Sequence, residues 1–413
     1  MRMSARFSEV ISMSMELLSP AGDMERLTMA VAYGADAVYL AGGQFGMRAF
    51  AGNFSREGLK DAVELCHAHG VKVHVTCNTM PRNQELPALP EYLEFLKDLG
   101  VDALIIGDVG VMALAQRYAP GVPIHMSTQI GVTNYAAAQF WHDQGASRVI
   151  LARELTLEEV AGICANRPRG LEVEAFVHGA MCVSFSGRCV ISNYMTGRDA
   201  SRGACAQPCR YKYALMEEQR PGEYFPVEED SEGTYLFNSK DMCMIDHIPQ
   251  LLSIGLDSLK IEGRAKSAYY AGMVTNAYRH AIDAAAEGRA LDPVWRAELD
   301  KVSHRPYSEG FWFGKPEQYV GDARYIRDWQ VSAVVTSCAP DGSALLSLRN
   351  KFRRGDELEL IGPGLSPIPF VAEDLADGQG ILLEEARTPQ MALRLTLPGQ
   401  APALSILRKK TSD

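Results

Sequence analysis

Nine cysteines are present, and four of them, Cys182, Cys189, Cys205 and Cys209, fall within 28 residues; a fifth, Cys243, follows in NSKDMCMID. Six, fifteen and three residues separate the first four, which is not the spacing of a disulfide scaffold in a long chain. Glycines at 179, 187, 197 and 203 let the backbone fold closely around something small. Converging thiolates suit a soft metal centre, because sulfur donors compensate the cation's charge while the protein excludes water. Structural zinc usually takes two Cys-x2-4-Cys pairs, and only Cys205 and Cys209 have that form. The wider gaps suit an iron-sulfur cluster reached from several loops. Chemistry alone leaves the fourth ligand open between Cys209 and Cys243, and buried inert thiols are the plainer alternative.

Other groups with chemical potential follow short apolar runs: Ser19, Asn78, Asp108, Ser127, Gln129, Arg153, Glu154, His178, Glu262 and Arg264. Within two of the runs, EVEAFVH and SLKIEGR, alternation puts Glu174 and His178 on one face and Lys260 and Glu262 on one face. A strand covered on both sides cannot leave such charges bare, so Glu174 and Lys260 are expected to belong to one buried ionic network. Arg153, Lys260 and Arg264 can grip the carboxylates of a small anionic metabolite, with Asn78 and Gln129 beside them. Glu174 and Glu262 can orient those cations or handle protons, and His178 is a candidate catalytic base.

Those residues need a scaffold that brings strand ends together. Apolar runs at Glu16 to Ser19, Ala37 to Leu40, Lys72 to Thr76, Ala103 to Ile106, Ile124 to Ser127, Arg148 to Leu151, Leu171 to Val177 and Ser258 to Ile261 read as strands. Helical stretches lie between them, as at Asp23 to Tyr33, Ser55 to His69, Pro90 to Leu99, Asn134 to Asp143 and Thr156 to Asn166. The alternation predicts a TIM-like (β/α)8 barrel over residues 15–290, with a cysteine-rich insertion over 178–243; a doubly wound sheet is the rival. Residues 1–14 are expected to be a disordered extension and 291–329 a linker packing on the barrel. From 330 to 413 short alternating strands with Gly, Pro and Asp turns predict a small all-β barrel. Its RNKFRRGDELEL segment gathers Arg349, Lys351, Arg353 and Arg354, which suits either a solvated turn or a phosphate contact.

A formal charge of −10 argues against broad nucleic-acid binding without excluding a local basic patch. No run of eighteen apolar residues occurs, so a spanning helix is not expected. The opening segment lacks the apolar core of a secretory signal, and with an odd cysteine count this points to a reducing cytoplasm.

The run Glu174-x-Phe176-x-x-Gly179-Ala180-Met181-Cys182-x4-Gly187-x-Cys189-x-Ile191-Ser192 resembles the signature of peptidase family U32, the collagenase-like proteases. The likeness extends from ELLSPAGD at Glu16 through NSKDMC and SLKIEGR to the C-terminal β domain. It implies a hydroxylase forming 5-hydroxyuridine at the wobble position of tRNA, with prephenate as co-substrate; other members act on a ribosomal RNA cytidine or the ubiquinone ring. It also implies a [4Fe-4S] cluster on Cys182, Cys189, Cys205 and Cys243, loaded by iron-sulfur assembly machinery, and so favours Cys243 over Cys209. Two alternatives remain: a U32-type peptidase, for which Cys182 and His178 form the one adjacent thiol and base, and a noncatalytic scaffold that binds RNA or a metabolite. No HExxH or GxSxG motif accompanies the peptidase label.

Overall fold

The computed structural model describes residues 15–47, 52–182, 184–185, 189, 191–210, 215–216, 224–225, 240–314, 316 and 325–411. The expected extension 1–14, and parts of the insertion and the linker, lie outside the described residues. Eight parallel strands run in sequence order: β1 (Glu16–Pro20), β2 (Ala37–Leu40), β3 (Lys72–Cys77), β4 (Ala103–Ile106), β5 (Ile124–Met126), β6 (Arg148–Ile150), β7 (Glu172–Ala180) and β8 (Ser258–Ile261). Each pairs with its successor, and β8 pairs with both β7 and β1. That last pairing closes the barrel and excludes the doubly wound sheet, whose edges stay open.

Local sequence explains why the intervening helices begin where they do. Side chains of Asp23, Ser55, Asp108, Asn134 and Ser267 each accept a hydrogen bond from a backbone N–H of the first turn that follows. Thr156 and Glu159 form a reciprocal capping box. Each such cap contributes about 1 kcal/mol. Gly100 ends its helix at φ 79°, a left-handed conformation that a glycine adopts without penalty. The long helix Ala268–Ala286 buries most of its length and packs on the helix Met24–Ala32.

Two departures from regular geometry govern where side chains point. Between β7 and β8 the register shifts, pairing Lys260 with Phe176 but Ile261 with His178, so β7 holds one extra residue. Beyond it, Gly179 takes φ +101°, and a Cβ there would strike the Glu262 carbonyl. The end of β7 also pairs antiparallel with the short strand Asp241–Cys243, a tab of sheet outside the barrel.

Within the stretch read as a linker, the helix Pro293–Leu299 and the buried Trp295 and Trp312 pack on the barrel's apolar cluster. The C-terminal residues form a seven-stranded antiparallel sheet with its own apolar core. A buried ionic joint ties the two parts. Arg408, fully enclosed, donates to Glu298 at 2.7 Å and Glu359 at 2.8 Å, and Tyr33 Oη donates to the Leu404 carbonyl at 2.9 Å. No helix among the described residues is long and apolar enough to cross a membrane.

Candidate functional site

The loops after the barrel strands enclose a cavity of about 210 Å³. Asn78 follows β3, Gln129 lies in the turn after β5, Arg153 follows β6, and Glu262 and Arg264 follow β8, so four expected binding residues and the expected catalytic Glu262 arrive from four strand ends. Lys260 reaches the cavity from within β8. Cys182, Cys189, Cys205 and Cys209 line the same cavity.

Each cation in the cavity is held by specific neighbours. Arg153 lies 3.7 Å above the Phe176 ring, donates to the Ala180 carbonyl at 3.0 Å and sits 3.7 Å from a Glu262 oxygen. Arg264 donates to Thr76 Oγ1 at 3.0 Å, and Asn78 Oδ1 accepts from the Met47 backbone at 3.2 Å. Lys260 Nζ stands 4.4 Å from the centre of the Tyr39 ring. A rigid fork on an aromatic face and a point charge beside it suit a small anion with more than one acidic group.

Beneath the cavity the lumen is polar and buried. Lys260 donates to Glu174 at 2.8 Å, Arg148 reaches the other Glu174 oxygen at 2.9 Å, and Arg148 also contacts Glu16 at 2.5 Å. Ser258 donates to the same Glu16 at 3.0 Å. The expected buried network therefore exists, and it is larger than the expected pair. Burial opposes ionisation of Glu174, but Lys260 and Arg148 outweigh it and hold the carboxyl below its usual range. The same contest leaves Glu16 at about 2. Burial dominates at Lys260 and draws its ammonium down despite Glu174. His74 and His125 meet edge to face 4.7 Å apart beside this network, and burial pushes His74 down to about 4.

Two candidate residues stand elsewhere. His178 is turned out of the lumen, because the extra residue in β7 breaks the two-residue alternation on which its placement rested. It is 1% exposed and packs among Tyr270, Tyr278 and Tyr307, and burial holds its imidazole well below the usual range. It therefore does not line the cavity with Cys182, as a thiol-protease pair would require. Cys243 is the register partner of His178, lies in the apolar core and does not line the cavity; burial raises its thiol to about 11. Cys209 does line it. Of the other strand-end residues, Asp108 caps a helix and Ser19 hydrogen-bonds Thr275 in the core.

The thiols do not form a ready-made cage, since no three Cys, His, Asp or Glu among the described residues converge at metal-binding range. Their chemistry nevertheless fits a thiolate-bound group. Backbone N–H groups of Ile191 and Gln207 point at the sulfurs of Cys189 and Cys205, at 3.4 and 3.3 Å, and such contacts stabilise anionic sulfur.

The basic run of the C-terminal domain is mostly neutralised. Arg353 pairs with Glu385, Arg354 with Glu384 and Lys409 with Asp356, while Arg408 is the buried joint described above. Arg349 instead crosses to Glu25 of the barrel at 2.8 Å.

The family model described as peptidase family U32 matches residues 22–322, and that of its C-terminal domain matches 327–408. The chain is 36% identical over 407 residues to tRNA hydroxylation protein P1 of Bacillus subtilis, covering 97% of this chain and 96% of that protein. It is 42% identical over 359 residues to an uncharacterized protease of Methanocaldococcus jannaschii, covering 84% and 86%. It is 38% identical over 295 residues to the 23S rRNA 5-hydroxycytidine C2501 synthase of Escherichia coli, covering 71% of this chain and 43% of that protein. A match spanning both the barrel and the β domain places the chain in peptidase family U32.

Proposed function

We propose that this chain is an RNA-hydroxylating enzyme acting on a uridine of tRNA, the wobble uridine in particular, and forming 5-hydroxyuridine. The observation that carries the reading is a single cavity lined by both the clustered thiols and Arg153, Lys260 and Arg264, in a chain whose full-length relatives include ones named for tRNA hydroxylation. A tRNA substrate makes this a cytoplasmic enzyme.

Cys182, Cys189 and Cys205 would hold a [4Fe-4S] cluster supplied by iron-sulfur assembly machinery. Two thiols compete for the fourth position: Cys209 shares the cavity wall, whereas Cys243, favoured by the family resemblance, would need its strand to present the other face. When bound, the cluster supplies a redox-capable, Lewis-acidic iron centre. Arg153, Lys260 and Arg264 bind the carboxylates of a small anionic co-substrate such as prephenate, and the Phe176 and Tyr39 rings exclude water from that contact. Glu262 fixes the Arg153 guanidinium, and Glu174 holds the Lys260 ammonium in place. Asn78 and Gln129 offer amide groups to the base or the co-substrate.

Anaerobic purification followed by iron and sulfide analysis tests the cofactor. About four irons and four sulfides per chain, with a broad visible thiolate-to-iron band, is the expected result; colourless protein carrying one zinc or no metal would overturn it.

A further inference from the structure

Between the barrel mouth and the C-terminal domain runs a second, wider cavity of about 1000 Å³, which shares Ala180, Gln207 and Glu262 with the thiol-lined one. Its lining interleaves three cations, Lys266, Arg327 and Arg349, with three aromatic side chains, Tyr269, Tyr325 and Trp329. Lys266 Nζ lies 3.7 Å over the Tyr325 ring, and the Arg327 guanidinium lies 5.9 Å from it. Arg327 is exposed, and Tyr325 and Trp329 are half-buried. The two carboxylates on the same lining are already engaged, Glu25 with Arg349 at 2.8 Å and Glu262 with Arg153 at 3.7 Å.

Resting on the RNA-hydroxylation reading, we propose that this interdomain groove seats the single-stranded RNA loop flanking the target nucleotide, whose base then enters the thiol-lined cavity. A base inside a helical stack is out of reach of such a cavity, so it must be turned out, and its neighbours need a surface to rest on. Alternating rings and cations supply that surface: bases stack on the rings and phosphates meet the cations. The chain carries a net charge of −10, so three cations lining one groove are a local arrangement rather than a reflection of composition. Because the walls come from both the barrel and the β domain, the buried joint at Arg408 fixes the groove's width.

The test uses the full chain, purified anaerobically, and tRNA from cells lacking it, with affinity measured across a range of salt. Arg327→Glu should weaken binding by roughly tenfold or more and lower the salt slope by about one. Glu25→Gln, which releases Arg349, should strengthen binding, an effect that misfolding cannot produce. Arg387→Glu, an equal charge change on an exposed residue outside the groove's lining, should leave affinity unchanged. Equal weakening by Arg327→Glu and Arg387→Glu, or no response to Arg327→Glu and Glu25→Gln, overturns the groove while leaving the RNA reading intact. Wild-type protein that binds no tRNA, with unchanged nucleosides in the deletion strain, overturns both.

Discussion

Lys260 Nζ sits 2.8 Å from Glu174 Oε1, and the other oxygen of that carboxylate is held by Arg148 at 2.9 Å. Among the described residues, the one lysine lining the thiol-walled cavity is thus anchored from below, and its anchor is itself anchored.

Removing the lysine and removing the carboxylate should therefore differ. In Lys260→Met, Glu174 keeps Arg148, so unfolding free energy should change little while hydroxylation falls about a hundredfold or more. In Glu174→Gln, the buried Arg148 and Lys260 lose their shared counter-charge, and stability should drop by about 3–5 kcal/mol. Denaturant titration of both variants, beside an activity assay, checks the split.

Acid should loosen the barrel in two steps. His74 is held down to about 4 against an ordinary 6.5, so the unfolded chain takes its proton first, and stability present above pH 6.5 drains away as pH falls towards 4. Glu16, lowered to about 2 from 4.5, adds a second loss between those values. Between pH 7 and pH 5 the His74 share amounts to about 2 kcal/mol. A His74→Gln variant should show that much less acid sensitivity in denaturation midpoints over this interval; an unchanged pH profile would contradict it.

Serine in place of Cys182, Cys189 or Cys205 should abolish bound iron in each case. Comparing Cys209→Ser with Cys243→Ser then separates the fourth ligand. Iron lost only from Cys209→Ser assigns it to the cavity wall, and iron lost only from Cys243→Ser requires the strand Asp241–Cys243 to expose its other face.

Arg408 joins the two domains while itself wholly enclosed, so Arg408→Ala leaves Glu298, 1% exposed, without its main partner. A loss of about 3–5 kcal/mol is expected. Limited proteolysis should then release the C-terminal domain faster than in the wild type; equal rates would show that the joint contributes nothing.

The barrel was legible because strand runs and helix caps are local signals. AVYL and ALII are short apolar runs between turns, and Asp23, Ser55 and Thr156 mark helix starts by their own hydrogen bonds. Period-two alternation correctly joined Glu174 to Lys260. It failed at His178, three residues before Met181, because one extra residue in β7 reverses facing and nothing in the composition announces it. The floor formed by Glu16, His74, His125 and Arg148 was also missed. Its signal was present, since His74 alternates with valines in KVHVT and Arg148 opens an apolar run, but polar residues inside strand runs were weighed only in β7 and β8. The groove could not be read at all, because it pairs residues such as Glu25 and Arg349 that lie far apart in the chain.

Nucleoside analysis by mass spectrometry of tRNA from a strain lacking this chain tests the central claim most directly. The account predicts that 5-hydroxyuridine and nucleosides built on it disappear, return with the wild-type chain and stay absent with Lys260→Met. An unchanged nucleoside profile in the deletion strain would contradict it.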